Sequence, residues 1–117
     1  MSITRINPTE KWSDATIFNG MAHFVEVPEM PTEDFLAQLT QVFEQAEASL
    51  ATVNSDKSRL ISVTIYLTDF ANLAAFNDAW QRWLPEGSAP SRACLQVGLA
   101  DPNYLVEIAF VAASTAG

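Results

Sequence analysis

Residues 89–98 read APSRACLQVG, and residues 104–112 read YLVEIAFVA. In each run, apolar side chains recur at every second position, which is typical of a β-strand with one buried face. The five residues between the runs, 99–103, read LADPN, and Asp, Pro and Asn favour turns. We therefore predict that the two runs form a hairpin near the end of the chain.

The predicted hairpin brings two opposite charges together. If its turn holds an even number of residues, Arg92 and Cys94 lie on the same face as Glu107, because side chains alternate along a strand. Two interpretations are open. Arg92 and Glu107 could form a cross-strand ion pair that fixes the register, worth about 0.2–1 kcal/mol when exposed. Alternatively, they form a small site in which Arg92 binds an anionic group and Glu107 handles protons or water.

A family resemblance favours the second interpretation. The run PSRACLQV at residues 90–97, followed by VEI at 106–108, resembles the closing signature of the reactive-intermediate deaminase family. This family is also called the Rid, YjgF or enamine/imine deaminase family, and formerly endoribonuclease L-PSP. Residues 60–69 resemble its central strand, and residues 76–80, FNDAW, resemble its Asn-bearing helix. The resemblance implies an α+β, two-layer, chorismate-mutase-like domain that forms a homotrimer with a site at each subunit interface.

The resemblance also implies an activity and its residues. Family members are hydrolases that convert reactive 2-imino or enamino acids to 2-keto acids and ammonia, which limits metabolite damage. By this resemblance, Arg92 grips the substrate carboxylate and Glu107 positions or activates the attacking water. Cys94 lines the pocket, and Asn77 on the second helix is counted with the substrate-binding residues as a structural position behind them. No metal or organic cofactor is implied, because the imine is already activated.

Two positions depart from the family pattern. Many members have a Tyr before a Ser near the N-terminus, and its ring covers the substrate, but here the residue before Ser13 is Trp12. A Trp in a loop either packs on the edge of a core or, as the resemblance implies, contributes to substrate binding. Many members also carry a hydroxyl residue and a Gly where this chain has Val25 and Glu26. These departures favour an alternative function, the non-catalytic binding of a small carboxylate metabolite.

Composition limits the remaining possibilities. The length of 117 residues predicts a single domain over residues 1–117. Six basic and fourteen acidic residues give a net charge of −8, which disfavours nucleic-acid binding and makes an endoribonuclease the least favoured function. One Cys excludes an intrachain disulfide, and one His with one Cys excludes the usual nitrogen and sulfur metal sites.

The start of the chain bears on location. Residues 1–5 lack the apolar core of a signal peptide, and no run reaches the length of a membrane span. We therefore expect a cytoplasmic protein that has no membrane partner.

The remaining strands are predicted from alternation and turn residues. Residues 2–7 form a short edge strand, and residues 15–18 and 21–27 form a hairpin around Asn19-Gly20, the strongest two-residue turn signal. Residues 60–68 form the clearest strand, with an apolar row and a second row of Ser62, Thr64 and Tyr66.

Two helices are predicted from apolar residues at helical spacing. In the first, Phe35 to Leu50, Thr32 is the expected N-cap and Glu33 and Asp34 suit the positive end of the helix. Its polar face is expected to be solvated and carries Gln38, Gln41, Glu44, Gln45 and Glu47. Asp69 or Asn72 caps the second helix, whose buried stripe is Leu73, Phe76, Trp80 and Trp83.

The predicted order is therefore βββαβαββ. Helices on one side of a mixed six-stranded sheet make a two-layer α+β domain. The other side of the sheet is expected to carry Arg92, Cys94 and Glu107 together with the polar row of the central strand.

Overall fold

The computed structural model describes residues 2–32 and 34–115. Its elements confirm the predicted order βββαβαββ. Single-turn 3-10 helices precede the fourth strand at Lys57–Arg59 and the second helix at Phe70–Asn72. The strands and helices are β1 (Thr4–Ile6), β2 (Ala15–Phe18), β3 (Met21–Glu26), α1 (Phe35–Thr52), β4 (Leu60–Leu67), α2 (Leu73–Trp83), β5 (Ser91–Gln96) and β6 (Val106–Ala113).

The described strands form one mixed sheet in the order β1-β2-β3-β6-β4-β5. β4 and β5 are parallel, and the other neighbouring strands are antiparallel. Parallel neighbours cannot be joined by a tight turn, so α2 connects β4 to β5 as a crossover. β6 then enters the centre of the sheet between β3 and β4.

The hairpin predicted for residues 89–98 and 104–112 is wrong, because β4 lies between β5 and β6. The connection passes around the end of β4. Val97 N donates to Leu67 O at 2.9 Å on one side of β4, and Thr68 N donates to Leu105 O at 3.3 Å on the other. Turn residues predict that the chain reverses direction, but they do not predict how many strands the loop passes.

The hairpin of β2 and β3 is confirmed. Phe18 pairs with Met21, and the two turn residues Asn19 and Gly20 have φ angles of +54° and +77°. Positive φ at both positions is the requirement of a type I′ turn, which matches the twist of the flanking strands.

Both helices cover one face of the sheet, as predicted. The core between the layers takes one row of side chains from each inner strand and the apolar stripe of each helix. The strand residues in this core include Ala22 and Phe24, Val63, Ile65 and Leu67, and Val106, Ile108 and Phe110. The helix residues include Leu39, Val42, Phe43, Ala46, Leu50, Phe76 and Trp80.

Aromatic residues join the two helices. The rings of Phe43 on α1 and Trp83 on α2 stack with their centroids 4.4 Å apart. Trp83 Nε1 also donates to Glu47 Oε2 at 3.2 Å. Because offset ring pairs add to the free energy of simple burial, these contacts fix α2 against α1.

The caps differ in part from their predictions. Asp34 is the N-cap of α1, since its Oδ1 accepts from Leu36 N at 3.0 Å, whereas Thr32 Oγ1 accepts from Asp34 N at 3.3 Å. Thr32 lies too early, because α1 begins at Phe35 and the N-cap is the residue immediately before the first helical one. Glu33 lies outside the described residues. Asp69 caps the 3-10 helix before α2 through Ala71 N, at 2.8 Å.

The solvated polar face predicted for α1 is wrong at Gln38, which is fully buried. Its Nε2 donates to Thr32 O at 2.5 Å and to Asn103 O at 2.9 Å, and its Oε1 accepts from Leu105 N at 2.8 Å. Gln38 therefore ties α1 to the connection that leads into β6. A buried amide is stable here because both ends of the group find backbone partners.

The second face of the sheet is left open by this chain. Ser62, Thr64 and Tyr66 lie on it, as predicted, half-buried beside one another on β4. Large apolar side chains on the same face are exposed, including Val25 at 54% and Leu95 at 43%.

Within residues 2–32 and 34–115, the structure has no helix long and apolar enough to cross a membrane.

Candidate active site

Arg92 lies on β5, the edge strand of the sheet. It pairs in register with Val63 of β4, whose side chain is buried under the helices, so Arg92 also projects toward the helix layer. Arg92 Nη2 donates to Asn77 Oδ1 of α2 at 2.6 Å, and its Cζ lies 5.6 Å from the centroid of the Phe76 ring. The exposed guanidinium is therefore held in one direction by a hydrogen bond and an aromatic face.

Glu107 lies on the opposite face of the sheet. It pairs in register with Tyr66 of β4, and Tyr66 and Val63 are three residues apart, so their side chains point to opposite faces. The predicted shared face of Arg92 and Glu107 is therefore wrong, and so is the cross-strand ion pair between them. The error follows from the predicted hairpin. Because β4 lies between β5 and β6, the pairing of each strand with β4 decides which of its side chains share a face.

The Glu107 carboxyl is half-buried on this open face, and burial raises its pKa above the ordinary value. A carboxyl with a raised pKa exchanges protons more readily near neutral pH than an ordinary surface Glu. The pKa of Glu107 is thus shifted in the direction that acid–base chemistry near neutral pH requires.

A hollow lies next to Glu107, where β3 continues past the start of β2. Its volume is about 1070 Å³. Trp12 borders the hollow with an indole that is 66% exposed. On the sheet side it is lined by Val25 of β3 and by Ala109 and Val111 of β6. Ala109 is two residues from Glu107 on the same face of β6, so the hollow and the carboxyl are neighbours.

The sequence matches the family model described as endoribonuclease L-PSP over residues 2–114. The chain belongs to this family, which is the Rid/YjgF family. It is similar to a RutC family protein of Haemophilus ducreyi, with 40% identity over 112 residues, which cover 95% of this chain and 96% of that protein. It is equally similar to the RutC family protein YoaB of Escherichia coli K12, with 40% identity over 113 residues, which cover 97% and 99%.

A solved structure supports the same assignment. A YjgF protein family member from Neisseria meningitidis superposes with a TM-score of 0.93 and is 33% identical, covering 100% of this chain and 98% of that one. The predicted membership of the Rid/YjgF family and its α+β fold are therefore confirmed.

In this Rid/YjgF chain, the predicted site residues form two groups rather than one. Arg92, Cys94 and Asn77 lie together between β5 and α2. Trp12 lines the hollow near β3, and Glu107 lies two residues along β6 from Ala109, which also lines it. A ligand that touched both groups would need residues of two copies of the chain, because β4 and the core separate the groups within one copy.

Cys94 lies beside Arg92 in the first group. It pairs in register with the buried Ile65 and is half-buried against the core. Burial raises the pKa of its thiol, and the nearby Arg92 charge partly opposes that shift. The thiol therefore stays protonated near neutral pH, as expected of a pocket wall rather than a nucleophile.

The Glu26 side chain forms hydrogen bonds with α1, although Glu26 is one of the residues that line the hollow. Its Oε2 accepts from Ser49 Oγ at 2.5 Å and its Oε1 from Gln45 Nε2 at 3.3 Å, both on α1. Its pKa is raised above the ordinary value. Burial is the largest cause, and the negative charge of Asp14 adds to the shift. The carboxyl thus lines the inner wall of the hollow, while Val25 faces the open side.

Sequence reasoning missed three contributors to these groups. Phe76 was predicted only as core, although its ring also lies against the Arg92 guanidinium. Gln45 was predicted as solvated and Ser49 was assigned no role, although both hold Glu26. The only available signal was the spacing of four between Gln45 and Ser49, which places both on one side of α1.

Proposed function

We propose that this chain is a cofactor-independent deaminase that hydrolyses reactive 2-imino or enamino acids to 2-keto acids and ammonia. We further propose that it works as a homotrimer with its sites at subunit interfaces. The observation that carries the proposal is the placement of Arg92 and Glu107 on opposite faces of one sheet. Each chain then offers an anion-binding group to one neighbour and an acid–base group to the other.

Arg92 is suited to hold the carboxylate of the substrate. A guanidinium binds a carboxylate through two parallel hydrogen bonds, which fixes orientation as well as position. Asn77 accepts one N–H of Arg92 and Phe76 lies against the guanidinium, while Arg92 itself stays exposed. Arg92 thus stays accessible at the edge of the sheet, where a neighbouring copy can approach.

Glu107 is suited to activate water. In the proposed step, water attacks the imine carbon and a new C–O bond forms, while Glu107 accepts a proton from the water. Glu107 then returns that proton to the nitrogen of the tetrahedral intermediate, and the C–N bond breaks as the C=O bond forms. The remaining hydroxyl proton passes through Glu107 to the departing ammonia, which leaves as ammonium. One iminium of a 2-imino acid and one water thus give one 2-keto acid and one ammonium ion. The raised pKa of Glu107 suits both directions of this transfer.

The open face of the sheet supports an oligomer. It carries exposed apolar side chains, among them Phe18, Met21 and Leu95, next to half-buried polar residues of β4. An apolar face of this kind on a chain with few surface charges is typical of a surface that another protein covers. A second copy is the proposed cover, because the same face bears Glu107.

A second candidate function is the binding of a small carboxylate metabolite without turnover. Val25 favours it, because it places an apolar side chain on the open face where many relatives have a hydroxyl. Ligand-induced stabilisation without product formation would identify this function. RNA cleavage is the third candidate, and the net charge of −8 opposes it.

The test is a competition assay. Amino-acid oxidases generate a panel of imines, and semicarbazide traps what is not hydrolysed. We expect the wild-type chain to suppress trapping, and we expect Arg92→Lys to lose most of the activity because Lys lacks the planar fork. Near-normal turnover by Arg92→Lys would contradict carboxylate binding by Arg92. Failure of the wild type across the panel would favour the binding function.

The shared site has its own test. Arg92→Ala and Glu107→Gln chains are each expected to be inactive alone. When the two are refolded together in equal amounts, about a quarter of the sites receive an intact Arg92 and an intact Glu107 from different copies. Recovery of about a quarter of the activity of wild-type chain refolded in the same way is the expected result. A mixture that stays inactive would contradict a site shared between copies.

A further inference from the structure

The position and the lining residues of the hollow beside Glu107 indicate which substrates it can hold. It lies two residues along β6 from the proposed acid–base group, since Ala109 lines its wall. A 2-imino acid with its reacting carbon at Glu107 would extend its side chain along the sheet into this space. The hollow is therefore placed to hold the part of the substrate that differs from one imino acid to another.

Most of the surface near Glu107 in this hollow is apolar. The Trp12 indole is 66% exposed and the Val25 side chain 54% exposed, and Val111 completes the wall on β6. A large apolar substituent would remove this surface from water, whereas a methyl group would leave most of it wet. The space of about 1070 Å³ leaves room for an aromatic or branched side chain.

The charged residues of the hollow are acidic. Asp14, Glu26 and Glu29 line it. The lining residues that the structure describes include no Lys or Arg, and His23 is the titratable nitrogen group among them. Glu26 is directed toward α1 and already accepts hydrogen bonds from Ser49 and Gln45. These carboxyls therefore repel an acidic substituent. Asp14 Oδ2 already accepts from Asn7 Nδ2 at 3.1 Å and Glu26 is satisfied by its own partners, so both are poorly placed to receive a basic one.

We infer that this hollow is a side-chain subsite that selects 2-imino acids with bulky, uncharged apolar or aromatic side chains and rejects those with acidic side chains. Trp12 and Val25 supply the apolar preference, and Glu26 with Asp14 supplies the rejection. This inference rests on the proposed deaminase function.

The experiment compares kcat/KM for imines derived from phenylalanine, leucine, alanine, glutamate and lysine in the semicarbazide assay. We expect the wild type to prefer the phenylalanine and leucine imines to the alanine imine by about tenfold or more, and to act on the glutamate imine least. Trp12→Ala should reduce the large-to-small preference several-fold. Leu36→Ala, which truncates an exposed apolar side chain on the outer surface of α1, is the matched control and should keep the wild-type preference.

Glu26→Gln tests the electrostatic part. The amide keeps an oxygen for Ser49 but loses the negative charge, so we expect the rate on the glutamate imine to rise about tenfold relative to the alanine imine. An unchanged ratio, a wild-type preference for the lysine imine, or a Trp12→Ala variant with the wild-type preference would each overturn the inference. Turnover of no imine at all would instead overturn the proposed function, so the two failures are distinguishable.

Discussion

Replacing Gln38 tests how the loop before Glu107 is held. Gln38→Met keeps the length of the side chain but removes its two donations, to Thr32 O and Asn103 O, and its acceptance from Leu105 N. The Leu105 amide loses its partner in a half-buried position, at a cost of about 1–3 kcal/mol. The two carbonyls lie on exposed residues and can bind water instead, adding about 1 kcal/mol together. The expected loss is therefore about 2–4 kcal/mol in the free energy of unfolding.

Urea denaturation at one fixed chain concentration measures this loss, and the fixed concentration matters because an oligomer gains stability by mass action. Gln81→Met on the exposed side of α2 is the matched control, with an expected change within about 0.5 kcal/mol. Hydrogen exchange at Leu105 should also accelerate in Gln38→Met. If Gln38→Met costs no more than Gln81→Met, then Gln38 does not hold the loop in the way its hydrogen bonds indicate.

Three other predictions follow from single contacts. Asn77→Ala removes the acceptor that aims Arg92, so we expect steady-state kinetics to show KM rising about tenfold with little change in kcat. Burial raises the pKa of Glu26, so its favourable contribution is present below the unfolded pKa of about 4.3 and is lost as pH rises through the folded value. Glu26→Gln should therefore melt higher than wild type near neutral pH, but gain nothing near about pH 4. Gly87→Ala should cost about 1 kcal/mol in urea denaturation, because Gly87 has a φ of +78°.

Most of the fold was predictable because local signals agree with tertiary structure. The Asn19-Gly20 turn, the period-two pattern of β4 and the apolar stripes of α1 and α2 each specify an element, and all of these elements form. The order of elements then limits how helices can cover a sheet. Pairing between β5 and β6 was not predictable from turn residues, because a loop that reverses the chain can also pass around another strand.

The polar residues of α1 show a second limit on what can be predicted from the sequence. Gln38, Gln45 and Ser49 have the spacing of a solvated face, yet Gln38 is buried and the other two bind Glu26. Helical periodicity shows only where the apolar residues of a helix lie. It does not show which polar groups far away in sequence will contact the other side chains. A buried amide can therefore be distinguished from a solvated one only when the backbone groups that satisfy it are known.

The candidate site shows how residues that a family resemblance picks out can be placed on the wrong face by a pairing pattern. The face that a side chain takes depends on the strand beside it, and β4 sets Arg92 by Val63 and Glu107 by Tyr66. Had β5 and β6 paired directly, one chain could hold both groups and the open face would need no partner. Because β4 separates them, the proposed reaction requires a second copy, and the same face that presents Glu107 must also form the subunit contact. Catalysis and assembly would then depend on one surface, so a substitution that weakens the contact should lower activity even where it touches neither Arg92 nor Glu107.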